Sequence, residues 1–304
     1  MATYLITGGA GFIGSHLANA LASNGDHITI IDDLSIGNYD NISNIPNINF
    51  IHGSILNNTI LEEFFSSIDG IFHLAAIASV QKSINDWHYS HQVNLTASIN
   101  VFLQAAKNNI PVVYASSAAV YGAEKNLPLR ETSPITPLSP YAADKYNCEV
   151  HARLLGKLKG LKSFGLRFFN VYGQGQNSNS DYSGVISIFK QQIAKREKLT
   201  IFGDGEQYRD FIHVSDVVNA IILAMNHTSN EGLIANICTG KPHTLNQLLS
   251  IISKTHHIEG VKYEDDQLGS VKYSVGDPSF AKKTMGFSAR QNFELKIAEL
   301  FLAD

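Results

Sequence analysis

The sequence predicts an α/β fold built on a doubly wound parallel sheet, with a smaller α/β lobe toward the C-terminus. Two observations carry this. Short apolar strands alternate with amphipathic helical stretches through the first half of the chain, the rhythm of a parallel sheet with helical crossovers. Runs such as "ITII" (28–31) and "VVYA" (112–115) are also apolar throughout, as suits strands covered by helices on both faces.

Taken in order, the candidate strands are Tyr4–Thr7, His27–Ile31, Ile48–His52, Gly70–His73 and Pro111–Ala115. Helical patterns fill the gaps: Ile13, Leu17 and Leu21 recur at four-residue spacing and share one face. Later the rhythm loosens. "SFGLRFFNVYG" (163–173) and "GLIANICTG" (232–240) read as two further strands of the main sheet, and "QGQNSNSDYSG" (174–184) as a polar loop. Residues 1–173, with 213–239 returning to them, form the expected first lobe; 174–212 and 240–304 form the second.

Composition bounds the function. The chain has 304 residues, 16% of them charged, and a net charge of −4. It lacks the basic surplus of a nucleic-acid binder and any apolar run near the roughly 20 residues of a membrane span. It opens directly on a strand, without the charged start of a signal peptide. Cys148 and Cys238 show no metal-ligand spacing and read as reduced core thiols, which points to the cytoplasm. The 12 histidines show no paired metal spacing either, so no metal is expected.

The first strand runs into "TGGAGFIGSHL" (7–17). Gly8, Gly9, Gly11 and Gly14 sit between strand and helix, where a tight turn needs positive φ. A diphosphate approaches backbone only where no Cβ intervenes, and the helix N-terminus offers it free N–H groups. This reads as dinucleotide binding. The second strand ends in Asp32-Asp33, 18 residues after Gly14, where a carboxylate accepts hydrogen bonds from ribose hydroxyls. Residues 1–81 contain no Lys or Arg, so a 2′-phosphate finds no cation in the first three strands. The cofactor reading is NAD rather than NADP.

"SPYAADKY" (139–146) places Tyr141 and Lys145 one helical turn apart. A free phenol has a pKa of about 10 and is a poor base at neutral pH. A nearby ammonium and an oxidised nicotinamide both favour its phenolate. Ser116 and Ser117 leave the fifth strand at its C-terminal end, where such sheets bind ligands.

With "DDLSIGN", "FHLAAIASV", "ASSAAVYG", "LRFFNVYG" and "FGDGEQYRDFIHVSDV" added to these motifs, the chain resembles the extended short-chain dehydrogenases/reductases, in the NAD-dependent nucleotide-sugar epimerase/dehydratase branch, over nearly its whole length. The resemblance implies a Rossmann-like first lobe and a nucleotide-sugar lobe. It assigns Tyr141 as base, Lys145 to the nicotinamide ribose and to tuning the phenol, and Ser117 to orienting the sugar. It adds Phe12, Ile13, Ser54, Ile55, Leu74, Ala75, Ala76 and Asn94 to the cofactor contacts. In that branch 4,6-dehydratases carry Asp-Glu after the Ser/Thr, and decarboxylases a Glu at the second position. Here both positions are alanine, Ala118 and Ala119, so the resemblance implies hydride chemistry alone: a UDP-sugar 4-epimerase, with a 4-keto-sugar reductase or a non-catalytic NAD sensor as alternatives.

On the substrate side the resemblance implies that Asn170 and Arg209 contact the diphosphate, a guanidinium suiting phosphate oxygens. Ser79 and Ser83 would either face the sugar or cap a loop or helix. Ser274 would occupy the position where a bulky residue excludes N-acetyl groups. Three departures stand out: Gln267 and Ser270 replace an expected Arg and Asp; "QGQ" (174–176) lacks an expected proline; and Ser54 replaces an adenine-contacting Asp. Lys262 and Lys272 read as solvated surface lysines rather than as replacements for that arginine, and "KREK" (195–198) and "HH" (256–257) as exposed surface. The expected partner beyond the nucleotide sugar is a second copy, paired through the helices around 87–107 and 140–157 into a four-helix interface.

Overall fold

A computed structural model describes residues 1–65, 68–176, 184–265 and 271–302. The chain opens with β1 (Thr3–Thr7), α1 (Phe12–Ser23), β2 (His27–Asp32), β3 (Ile48–His52) and α2 (Asn58–Phe64). Then come β4 (Gly70–His73), α3 (Val80–Asn85), α4 (Trp87–His91), a π-helical turn at Gln92–Thr96 and α5 (Ala97–Lys107). β5 (Val112–Ser117), α6 (Pro140–Lys159) and β6 (Ser163–Phe168) complete the first half. The second half holds β7 (Asn170–Tyr172), α7 (Val185–Ala194), β8 (Leu199–Phe202), β9 (Tyr208–His213), α8 (Val214–Met225) and β10 (Leu233–Ile237). It ends with β11 (Pro242–Thr244), α9 (Leu245–Ile252), β12 (Val261–Glu264), β13 (Tyr273–Ser274), α10 (Ser279–Met285) and α11 (Phe293–Leu302).

The main sheet has seven strands in the order β10-β6-β5-β4-β1-β2-β3. Every pairing in it is parallel. Leu5 and Ile6, adjacent on β1, enter different cores, one on each side of the sheet. Strands apolar throughout are therefore the right sequence for this layer. One core gathers Leu17 and Leu21 of α1 with Val217 and Ile221 of α8; the other gathers Val101 and Phe102 of α5 with Ala152 and Leu155 of α6. Strand order reverses between β1 and β4, which opens a crevice at their C-terminal ends.

The expectation of one main-sheet strand over 163–173 is corrected. β6 stays in the main sheet, while β7 pairs with β9 in a second, four-stranded sheet with β11 and β13. The cause is a competing core. Tyr172 packs there with Phe211, edge to face, and both join the apolar side chains of α7 and α9. The chain crosses between sheets at Phe169, whose amide still bonds the Ile237 carbonyl.

Local chemistry sets the helix that matters most. Ser139 caps α6 by accepting from the Ala142 amide, and Pro140 occupies its first turn, both favourable at a helix start. Gly160, at φ 73°, ends it in the left-handed region with Lys157 and Lys159 in the last turn. No described helix is long and apolar enough to cross a membrane.

Candidate active site

A cavity of about 390 Å³ opens at the crevice between β1 and β4. Gly8, Gly11 and Gly14 line its floor together with Phe12 and Ile13. Gly8 sits at φ +74°, and a Cβ there would stand 2.6 Å from the Ala75 amide nitrogen. The turn thus needs glycine for a close approach of protein backbone. Gly11 is less crowded, a Cβ there meeting the Gly8 carbonyl in a tight contact at 3.3 Å. Gly11 is also the N-cap of α1, with no side chain capping it and no acidic residue in the first turn. The first N–H groups of α1 therefore face the cavity as an anion cradle.

Asp32 and Asp33 line one end of the cavity. Asp32 is buried; its two oxygens accept from the Ala10 amide at 3.0 Å and the Leu34 amide at 2.8 Å. Burial raises its pKa, and those two amides pull it back. Each carboxylate oxygen keeps a lone pair for a ribose hydroxyl. Ser35, Ile36 and Gly37, from the "DDLSIGN" motif, also line this end. Ile55 lines the cavity but Ser54 does not. The Ser54 hydroxyl turns into its own loop and accepts from the Leu56 amide.

At the other end stand Ser117, Tyr141 and Lys145. Ser117 ends β5, and its hydroxyl accepts from the Ala119 amide at 3.2 Å. Lys145 donates to the Ala115 carbonyl at 2.9 Å, its Nζ 6.0 Å from the centre of the Tyr141 ring. Burial pushes the Tyr141 phenol up, and hydrogen bonding to Ser117 draws it down; burial pushes Lys145 down. Tyr141 lies in the first turn of α6, where its amide has no intrahelical partner. Ser83 supplies one: its hydroxyl accepts from the Tyr141 amide at 3.2 Å and donates to the Val80 carbonyl. Ser83 therefore holds the base and is absent from the cavity lining, which favours the capping alternative over the sugar-facing one. Ser79, too, is absent from the lining: it caps α3 by accepting from the Lys82 amide.

Leu74, Ala75 and Ala76 form the wall opposite the glycine turn, continued by Ile77 and Ala78. Asn94 stands behind this wall. Its side-chain oxygen accepts from the Ile77 amide at 2.7 Å and its NH2 donates to the Ile77 carbonyl. Asn94 is thus off the cavity lining on which it was expected; it fixes the backbone that lines the cavity, in keeping with the structural asparagine that the resemblance also implies at this position.

The second sheet carries the remaining candidates, and none of Asn170, Arg209 and Ser274 is on the cavity lining. Arg209 and Ser274 lie opposite each other on β9 and β13. The Arg209 guanidinium bonds the Tyr208 and Lys272 carbonyls at 3.0 and 2.9 Å and meets no carboxylate among the described residues. Burial lowers its pKa. The Asn170 amide has no side-chain partner among the described residues. Phe168, Phe169, Val171 and Gln176 line the cavity and were not anticipated. Gln176 donates to the Val171 carbonyl and accepts from Ser187 of α7, which stiffens the loop that lacks a proline. Lys262 is paired with Glu264 at 2.6 Å. Gln267, Ser270 and most of the loop at 174–184 lie outside the described residues.

The sequence matches the NAD dependent epimerase/dehydratase family over residues 4–238. The chain belongs to that family. NAD is its cofactor, and the chain is an NAD-dependent epimerase. It is 32% identical to the UDP-glucose 4-epimerase of Mycolicibacterium smegmatis, over 93% of this chain and 92% of that protein. The UDP-N-acetylglucosamine 4-epimerase of Methanobrevibacter ruminantium M1, solved with UDP-N-acetylmuramic acid, superposes with TM-score 0.94 at 38% identity, covering 99% and 97% of the two chains. The UDP-glucose 4-epimerase of Thermotoga maritima, solved with UDP-glucose, gives TM-score 0.93 at 34% identity, covering 99% and 97%. The first-turn N–H groups of α1 that follow Gly11, the lone pairs of Asp32 and the glycine-lined floor fit NAD at this cavity.

Proposed function

We propose that this enzyme inverts C4 of a UDP-linked hexose or N-acetylhexosamine through a transient 4-keto sugar. One observation supports this above the rest. Among the described residues, the carboxylates on the cavity lining are Asp32 and Asp33, at the end opposite Tyr141. Among those residues the catalytic end thus has a base for the 4-hydroxyl and no carboxyl group placed to expel water or carbon dioxide, in keeping with Ala118 and Ala119 after Ser117.

When bound, NAD supplies a hydride acceptor that later returns the hydride. Tyr141 takes the 4-hydroxyl proton and gives it back to the other face. Ser117 donates to the sugar oxygen as it becomes a carbonyl. Lys145 holds the nicotinamide ribose while its ammonium rests on the Ala115 carbonyl. Burial lifts the Tyr141 phenol and hydrogen bonding to Ser117 lowers it; the positive charge of an oxidised nicotinamide would lower it further. Arg209 and Asn170 on the second sheet hold the diphosphate, the guanidinium using donors beyond those it gives to the Tyr208 and Lys272 carbonyls, and Ser274 leaves room for an N-acetyl group. The lobe of 174–212 and 240–304 is the nucleotide-sugar half in this reading.

The same reading includes a homodimer. Leu103 on α5 and Leu154 and Leu158 on α6 are exposed, an apolar face suited to pairing two copies into four helices. Two buried free thiols accord with a cytoplasmic enzyme.

The test is NMR of purified protein with UDP-N-acetylglucosamine and, separately, UDP-glucose, no cofactor added. New galacto-configured signals are expected, and their relative rates name the sugar. Stoichiometric NADH consumption with a 4-keto sugar, and no interconversion even after NAD is supplied, would replace the epimerase with a reductase.

A further inference from the structure

A chain of hydrogen bonds runs behind the cavity wall. Thr7 ends β1 and His73 ends the neighbouring β4, and both are buried. The Thr7 hydroxyl meets His73 Nδ1 at 2.7 Å; His73 Nε2 meets the Ser98 hydroxyl at 2.8 Å. Ser98 donates to the Asn94 carbonyl at 2.7 Å. At the near end, the Ala75 amide donates to Thr7 Oγ1 at 3.4 Å.

The direction of every link follows from one fact. Ser98 has a single proton, and it goes to the Asn94 carbonyl. Ser98 must therefore accept from His73 Nε2–H. A neutral imidazole then offers Nδ1 as acceptor only, so Thr7 donates to it, which frees Thr7 Oγ1 to accept from Ala75. Burial keeps His73 neutral, with a pKa of about 3. The chain reads Ala75 to Thr7 to His73 to Ser98 to Asn94. Asn94 then clamps Ile77 through both ends of its amide. Both ends of the chain return to the same stretch of backbone, 75–77, the wall that stands over Gly8.

We infer that His73 is a positioning residue, the hub of a one-way hydrogen-bond chain that sets the gap between the glycine turn and the 75–77 wall and thereby sets how long NAD is retained. The inference rests on the reading that this cavity holds the dinucleotide. His73 touches no reacting atom; it acts through Thr7, Ser98 and Asn94.

Thr7→Val keeps shape and removes the hydroxyl that both accepts from Ala75 and donates to His73. Thr7→Ser keeps the hydroxyl. NAD content after desalting and the NAD dissociation rate are measured on purified holoenzyme, with kcat at saturating added NAD. Thr7→Val is expected to release NAD on the order of 10–100-fold faster while added NAD restores kcat to within about 3-fold; Thr7→Ser is expected to retain NAD as the wild type does. If Thr7→Val does not fold, Ser98→Ala cuts the far end and is expected to speed release by roughly 3–10-fold. A folded Thr7→Val or Ser98→Ala protein that melts earlier yet holds NAD like the wild type overturns the inference alone, leaving the cavity assignment intact. A wild type that neither carries nor binds NAD overturns both. A 15N imidazole spectrum showing Nδ1 protonated would overturn the direction of the chain.

Discussion

The two sides of the cleft are completed to different degrees. On the first-lobe side the polar groups already have partners: Asp32 with two amides, Asn94 with Ile77, Thr7 and Ser98 with His73, Tyr141 with Ser83. On the side of the second sheet, among the described residues, the Arg209 guanidinium meets two carbonyls and no carboxylate. The difference matches two demands. A cofactor regenerated in each cycle suits a rigid slot whose walls are held from behind. A substrate that enters and leaves needs donors held ready, and a half-buried cation with no carboxylate beside it is favoured further when an anion arrives.

The largest effect expected is on the completed side. His73 has a folded pKa of about 3 against its ordinary 6.5, so the unfolded chain takes up its proton first. Its contribution to stability is full above pH 6.5 and declines as pH falls from there toward 3. The shift corresponds to an upper bound of about 5 kcal/mol. Denaturant titrations across that window should show a shallower slope for His73→Phe than for the wild type; equal slopes would remove the buried neutral histidine from the picture.

Next is Tyr141→Phe. It should cut kcat by about 10³-fold, within the range for loss of a general base, with NAD content unchanged within roughly 3-fold. Persistent turnover would detach the phenol from the chemistry. Arg209→Ala comes third. It should raise the KM for a UDP-sugar by roughly 10–100-fold, as expected for loss of charge-assisted hydrogen bonds, and leave NAD retention and melting temperature unharmed. A fall in NAD content instead would erase the contrast between the two sides. The smallest is Ser83→Ala, which leaves the Tyr141 amide without its partner. A cost of about 1–2 kcal/mol should appear as a roughly 10-fold loss in kcat with KM little changed, and normal kcat would leave Ser83 as a cap only.

Much of the first lobe was legible because its signals are local. The glycine turn, the apolar strands and the Tyr141–Lys145 spacing each lie within a few residues of one another. The strand read over 163–173 failed because local pattern sees apolar residues and not which core claims them; Tyr172 went to Phe211. Ser54 and Ser79 bond amides two and three residues on, as a local turn and a helix cap do, whereas Asn94 and Ser83 reach Ile77 and Tyr141 across 17 and 58 positions, which sequence spacing does not reveal.

By itself the sequence determined the doubly wound sheet, the dinucleotide turn and the Ser-Tyr-Lys set, since hydrophobic period, glycine conformation and helix pitch act over short spans. Only the tertiary structure decided which side chains face the cavity and which hold it from behind. Thr7 finds His73 across 66 positions, Tyr141 finds Ser83 across 58 and Arg209 finds the Lys272 carbonyl across 63. Such pairings follow from strand order and helix packing, because a buried donor must take whichever acceptor the fold brings within reach.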